Sequence, residues 1–174
     1  GGLIAAAGQF VQSGGLFDFE SGGVIGSFVL DDAQIYVGPE VVAPNTIEVV
    51  GPSNTLLDNA SAATTLWVRG DDAYDAGVLT AAPGAFNAGT IDLASASTYW
   101  GETLAAPDGL VNLAGGRVAV YGGGGPPALT GSLTNDGYLS LSGVGAMSVD
   151  ALVNHGTVGV DATGTSLAPG MVSL

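Results

Sequence analysis

Three stretches of this 174-residue chain carry one pattern: an asparagine, a glycine two residues later, then two apolar residues spaced two apart. They are "FNAGTIDLA" (86–94), "LTNDGYLSLS" (133–142) and "LVNHGTVGVD" (152–161), and "LVNLAGGRVAVY" (110–121) is a looser copy with an insertion. The asparagines Asn87, Asn112, Asn135 and Asn154 lie 25, 23 and 19 residues apart, a mean of about 22. A period of roughly 20–50 residues marks stacked repeat architectures. A unit this short cannot bury its apolar face alone, but stacked units can share one interior.

The apolar pairs alternate with period two, which places both members on one face of a short strand. Ile47 and Val49, Leu66 and Val68, Ile91 and Leu93, Val118 and Val120, Leu139 and Leu141, and Val158 and Val160 are such pairs. Helical spacing is scarce, since Gly or Pro interrupts nearly every window of a dozen residues. The expected fold is therefore all-β, a parallel solenoid whose coils hydrogen-bond at ~4.8 Å spacing. Dividing the chain length by the period gives about eight coils and a column on the order of 40 Å long. Asn87, Gly89, Asn112, Asn135, Gly137, Asn154 and Gly156 are expected at the turns. There φ goes positive or a side chain bonds the turn backbone, with the amide-bearing bends lined up outside. "QSGGLFDF" (12–19) and "ESGGVIGSFVL" (20–30) read as further turns followed by strands, and "YGGGGPP" (121–127) as a corner or protruding loop.

Composition narrows the function classes. Sixteen acidic side chains face only two cations, Arg69 and Arg117, giving a net charge of −14. Such a surface repels phosphate backbones and anionic headgroups, which argues against nucleic acid and anionic membrane surfaces as partners. With no cysteine there is no disulfide framework, thiol catalysis or thiolate metal site. No apolar run reaches the roughly 18 residues that would span a bilayer. The chain begins with Gly1 rather than Met, so the expectation is one solenoid domain over 1–174, a piece of a longer secreted protein whose export signal lies elsewhere.

On "SLTNDGYLSLSG", "ALVNHGTVGV" and the closing "GTSLAPGMVSL", the sequence resembles the passenger regions of secreted bacterial β-helix proteins of the autotransporter and filamentous-haemagglutinin type. The resemblance covers residues 85–174 and is weak before that. It implies a right-handed parallel β-helix exported to the cell surface or medium and used for adhesion or surface building. A recognisable secretion signature and a translocator barrel are lacking.

Each chemically suggestive residue has a structural reading beside it. His155 occupies the variable position of the Asn-x-Gly motif, where other copies carry Ala88 and Asp136. It is expected as a turn residue rather than a general base, having no second histidine or cysteine to work with. Arg69-Gly70-Asp71 matches the tripeptide that integrin-binding adhesins display on exposed loops, and exposure is its minimum requirement. Asp71, Asp72 and Asp75 could offer carboxylates to Ca²⁺, but their spacing fits neither an EF-hand nor the Gly-rich nonapeptide. In "STYWGETL" (97–104) strand alternation would turn either Tyr99 or Trp100 outward beside Glu102, a sugar-stacking platform or merely the cover of a corner.

Enzymes on this architecture need either a basic side chain against an acidic substrate or two carboxylates roughly 6.5–9.5 Å apart. The first is disfavoured by the charge, and no pair stands out for the second. The expectation is a noncatalytic, cofactor-free structural or adhesive segment, extracellular or at the bacterial cell surface. Its partners would be neighbouring segments, copies of itself docked end to end through "GGLIAAAGQF" and "APGMVSL", or a host receptor or glycan. The alternatives are a self-assembling filament subunit and a glycan-binding or glycan-hydrolysing β-helix.

Overall fold

A computed structural model describes residues 2–122, 125–143, 146–161, 166–169 and 172–173. The described residues wind as a β-solenoid of about seven turns rather than eight, all β and without helix. It opens with β1 (Gly2–Ser13), which pairs in parallel with the second half of the long β2 (Leu16–Asp31), and β2 makes the first full coil. Then follow β3 (Gln34–Glu40) with β4 (Asn45–Val50), and β5 (Asn54–Asn59) with β6 (Thr64–Val68). The fourth coil holds β7 (Gly77–Ala81), β8 (Phe86–Asn87) and β9 (Thr90–Leu93), the fifth β10 (Glu102–Asn112) and β11 (Arg117–Tyr121). The sixth is β12 (Ala128–Asn135) and β13 (Tyr138–Ser142). The seventh is β14 (Ala146–Val149), β15 (Ala151–Asn154) and β16 (Thr157–Val160), after which β17 (Ser166–Pro169) and β18 (Val172–Ser173) pair onto β14 and β15. The windings differ in length: Phe28, Ile47 and Leu66 are 19 residues apart, whereas Leu66 to Ile91 takes 25 and Ile91 to Val118 takes 27, because the long corners at 69–76 and 94–101 lie in those middle coils.

All ladders between named strands are parallel, and the register stacks like on like. The six apolar pairs identified from period two fall on one sheet and form two inward columns. Phe28, Ile47, Leu66, Ile91, Val118, Leu139 and Val158 make the first, and Leu30, Val49, Val68, Leu93, Val120, Leu141 and Val160 the second. Every member is buried except the last of each, Val158 being partly buried and Val160 44% exposed at the last coil of this sheet. The opposing wall supplies Phe17, Ile35, Leu56 and Ala81 in one row, Leu79, Leu104 and Leu129 in another, and Leu110, Leu133 and Leu152 in a third.

The asparagines stand inside this core rather than outside it. Asn59, Asn87, Asn112, Asn135 and Asn154 occupy one register position on successive coils. Each Nδ2 donates to the Oδ1 of the next: Asn59 to Asn87 at 2.8 Å, Asn87 to Asn112 at 2.8 Å, Asn112 to Asn135 at 2.7 Å and Asn135 to Asn154 at 2.7 Å. The amide nitrogens of Asn87, Asn112, Asn135 and Asn154 also donate to the glycine carbonyls of their own turns, at Gly89, Gly116, Gly137 and Gly156. The first four asparagines are fully buried, so the ladder converts what would be a costly burial of amides into a satisfied network. Below Asn59 the same position holds Val37 and Phe19, which leaves the Asn59 Oδ1 without a partner.

The motif glycines serve a purpose other than the one expected of them. Gly89, Gly116, Gly137 and Gly156 do not adopt positive φ; a Cβ on each would collide with a backbone oxygen of the coil beneath. The requirement is closeness of stacked backbones, not left-handed conformation. Positive φ is found instead at corners such as Gly14 (73°) and Gly15 (74°), in the first Ser-Gly-Gly step. The second step, Ser21-Gly22-Gly23, lies within β2 as a bend, with Gly22 at φ 108° and a register shift between Phe19 and Ser21. "YGGGGPP" is a corner between β11 and β12, with residues 123 and 124 outside the described set. The side chains of 2–7 and 166–174, on which the end-to-end docking expectation rests, also lie outside the described residues.

Cutting the ladder in its middle should cost more than trimming its end. Asn112→Ala orphans groups on both neighbouring coils and should lower unfolding free energy by about 3 kcal/mol, whereas Asn154→Ala should cost about 1 kcal/mol. Urea unfolding followed by circular dichroism measures both.

Candidate functional site

Two stretches that look independent in the sequence, 69–76 and 94–101, are stacked at one corner. The Gly70 carbonyl accepts hydrogen bonds from the amides of Ala96 (3.1 Å) and Ser97 (3.3 Å) on the next coil. The Ser97 carbonyl in turn accepts from the Gly125 amide at 3.1 Å. Gly70, Gly101 and Gly125 are forced to be glycine by this stacking, because a Cβ on any of them would overlap backbone of an adjacent coil. With the interior of the corner filled by backbone and the buried Ser97, the side chains of Ala96, Thr98, Tyr99 and Trp100 turn outward.

Tyr99 is 82% exposed and Trp100 40%. These residues lie in a loop and not on a strand, so the expected inward and outward alternation does not operate and both rings reach solvent. Ser97 fixes the loop: its Oγ accepts from the amides of Tyr99 (3.0 Å) and Trp100 (3.1 Å) and donates to Asp72 Oδ1 (2.5 Å). Ser95 Oγ adds a hydrogen bond to the Trp100 carbonyl.

Arg69-Gly70-Asp71 is at this corner but is not displayed. Gly70 is buried. The Arg69 side chain is 12% exposed, paired with Glu48 at 2.7 Å and with Asp71, and its guanidinium lies 5.1 Å from the Trp67 ring centroid. Loop exposure, the minimum condition for receptor reading, is unmet. The neighbouring acids are likewise engaged. Asp71 Oδ1 accepts from the Ala73 amide at 2.8 Å, Asp72 holds Ser97, and Asp75 closes the turn against Asp71 with φ 65°. Among the described residues no group of three acidic or histidine side chains is arranged to hold a metal ion.

Glu102 is the unexpected member of the corner. The sequence suggests a solvent carboxylate beside an aromatic ring, yet Glu102 is 1% exposed and both of its carboxyl oxygens lack hydrogen-bond partners. Strand parity explains the inward position: Glu102, Leu104 and Ala106 alternate on the interior face of β10. Burial pushes its pKa up to about 7, only partly offset by the nearby backbone amides of Ser95 and of Glu102 itself, which approach the carboxyl without hydrogen-bonding geometry. Asp92, on the outer face of β9, is also raised by burial, with Arg117 pulling it back.

His155 pairs with Asp136 one coil below, Nδ1 to Oδ1 at 2.8 Å, with side chains 61% and 38% exposed. An exposed pair of this kind contributes little to stability, and the position is a stacked turn. Two buried asparagines escaped the sequence reading. Asn59 heads the ladder, but its turn reads Asn-Ala-Ser rather than Asn-x-Gly. Asn54 accepts from the Ala33 amide at 3.0 Å and donates to the Val50 carbonyl at 2.7 Å, bridging two coils.

Comparison with protein-family models, curated proteins and solved structures gives no match for this chain.

The Glu102 geometry has a definite pH signature. Because its folded pKa (about 7) exceeds the ordinary carboxyl value of 4.5, the folded state binds the proton more tightly. Its contribution is fully present below about pH 4.5 and is lost as pH rises through 7. Glu102→Gln should raise the urea midpoint at pH 8, by roughly 1–3 kcal/mol in unfolding free energy, and the advantage should vanish at pH 4.5.

Proposed function

We propose that this chain is a noncatalytic structural segment of a secreted or surface-exposed bacterial protein, a stiff column that carries its corner loops outward for adhesion. The observation that carries this reading is the asparagine ladder, four links long at 2.7–2.8 Å between Asn59 and Asn154. It runs beside aliphatic columns that continue through the same coils. Such an interior ties each coil to the next through side chains as well as backbone, and any bend must strain several parallel hydrogen bonds per coil together. The acidic surface and the resemblance to passenger repeats favour an exported setting.

The adhesive side of this reading draws on the corner at 94–101. Tyr99 is held by a hydrogen-bonded loop yet is 82% exposed. A ring kept in solvent by a rigid backbone is better suited to stacking against a ligand than to stabilising the fold. Arg69-Gly70-Asp71 contributes to this corner as packing.

Display on a bacterial surface between an anchor and an epitope tag tests the proposal. The intact column should resist added protease and keep the tag accessible, and a double variant Asn112→Ala with Asn135→Ala should be cleaved at least tenfold faster. Tyr99→Ala with Trp100→Ala should leave protease resistance unchanged while reducing adhesion of the displaying cells to glycan-coated surfaces. Release of reducing ends from polysaccharides by the purified chain would replace this reading with a glycosidase.

A further inference from the structure

The outer face of the sheet formed by β9, β11, β13 and β16 carries a furrow along the column axis. Its floor over β13 and β16 is one register row of small residues, Ser140 and Gly159, continued on β11 by the fully buried Ala119. One wall is the row of Arg117 and Tyr138, and the other is Tyr121 with Ser142 and then Asp161. Asp92 stands at the head of the floor row, directly before Ala119, with its Oδ1 buried and unpartnered. The open part of the furrow, over β13 and β16, measures about 350 Å³. This is at the small end of the roughly 300–1,000 Å³ typical of small-molecule sites.

Its aromatic groups are held in place rather than loosely draped. Arg117 donates to the Tyr121 hydroxyl at 2.9 Å, and its guanidinium lies 5.9 Å from the Tyr138 ring centroid, so one of the chain's two cations braces both rings. Tyr138 crosses from the wall to the floor with its hydroxyl over Gly159, where any Cβ would overlap that oxygen and lie 3.0 Å from Cζ. The ring remains 39% exposed. Beside it are the hydroxyls of Ser140 and Ser142 and the carboxylate of Asp161, with Ser142 Oγ 3.2 Å from Asp161 Oδ2.

We propose that this furrow binds a neutral saccharide, with the Tyr138 ring as stacking platform and Ser140, Ser142 and Asp161 as hydroxyl partners. A braced ring that is still 39% exposed suits the C–H face of a pyranose, and acceptors at its edge suit the equatorial hydroxyls. The coil spacing of ~4.8 Å is close to the length of one sugar unit, so successive units of an oligosaccharide would meet successive coils. Asp161, Asp92 and the net charge of −14 disfavour an acidic glycan. The site is separate from the Tyr99 corner, and a structural column needs neither.

Saturation-transfer NMR and calorimetry with the intact chain test this, using cello-, malto-, xylo-, manno- and chito-oligosaccharides as neutral probes and oligogalacturonate as the acidic one. At least one neutral probe should bind. Tyr138→Ala should weaken binding at least tenfold, and Tyr138→Phe should keep it within about threefold. Gly159→Ala, which retains the ring but pushes it off the floor, should weaken binding several-fold while circular dichroism stays unchanged. Tyr99→Ala with Trp100→Ala should have no effect on the same probe. The proposal is overturned if no neutral probe binds, if only oligogalacturonate binds, or if affinity follows Tyr99 and Trp100 rather than Tyr138. Those outcomes leave the structural reading standing, since protease resistance on display does not depend on this furrow.

Discussion

A carboxamide withdrawn from water must find hydrogen-bond partners, and here the partner is the same carboxamide one coil away. That condition governs the winding. Hydrophobic columns are tolerant: a slip of two residues would keep the inward parity of every Val, Leu and Ile. The asparagine ladder is not tolerant, because the same slip would set each amide against an aliphatic neighbour and leave a donor and an acceptor unsatisfied in the interior. The apolar rows supply most of the favourable free energy, and the amide row decides which of the available registers is used.

The glycines next to those asparagines enforce the same register from the backbone side. Gly116, Gly137 and Gly156 sit where one coil passes so close to the next that a methyl group has no room. Their carbonyls and amides carry the coil-to-coil hydrogen bonds, as where the Tyr138 amide donates to Gly116 and that of Thr157 to Gly137. Asparagine and glycine thus form one device, a side-chain link inside and a backbone link at the turn. The first coils, which hold Phe19 and Val37 at the ladder position, use bulk in place of amides and lack the motif.

Much of this was legible because period two and a 22-residue recurrence are both direct consequences of stacking. The six apolar pairs and the four asparagines read from the sequence occupy the positions that the register requires. The inward direction of the asparagines was not legible, since an Asn-x-Gly step is also what an exposed turn looks like. Asn59 was hidden by the absence of its glycine. Glu102 could have been found from its parity with Leu104 and Ala106, a signal masked by the preference for leaving carboxylates in water. The corner that joins Gly70 to Ser95, 25 positions on, depends on how the chain between them winds, which local pattern does not contain.

The continuity of the amide row also limits how a chain of this kind can change its length. Residues can be gained or lost in the corners, where loops such as 94–101 already bulge outward, without disturbing the interior. Elsewhere a deletion must remove a complete winding, so that the asparagine before the gap meets the one after it; a fractional loss would break the row. The molecule is in effect graduated, and its tolerable lengths form a ladder of discrete steps with loop decoration free to vary on each rung.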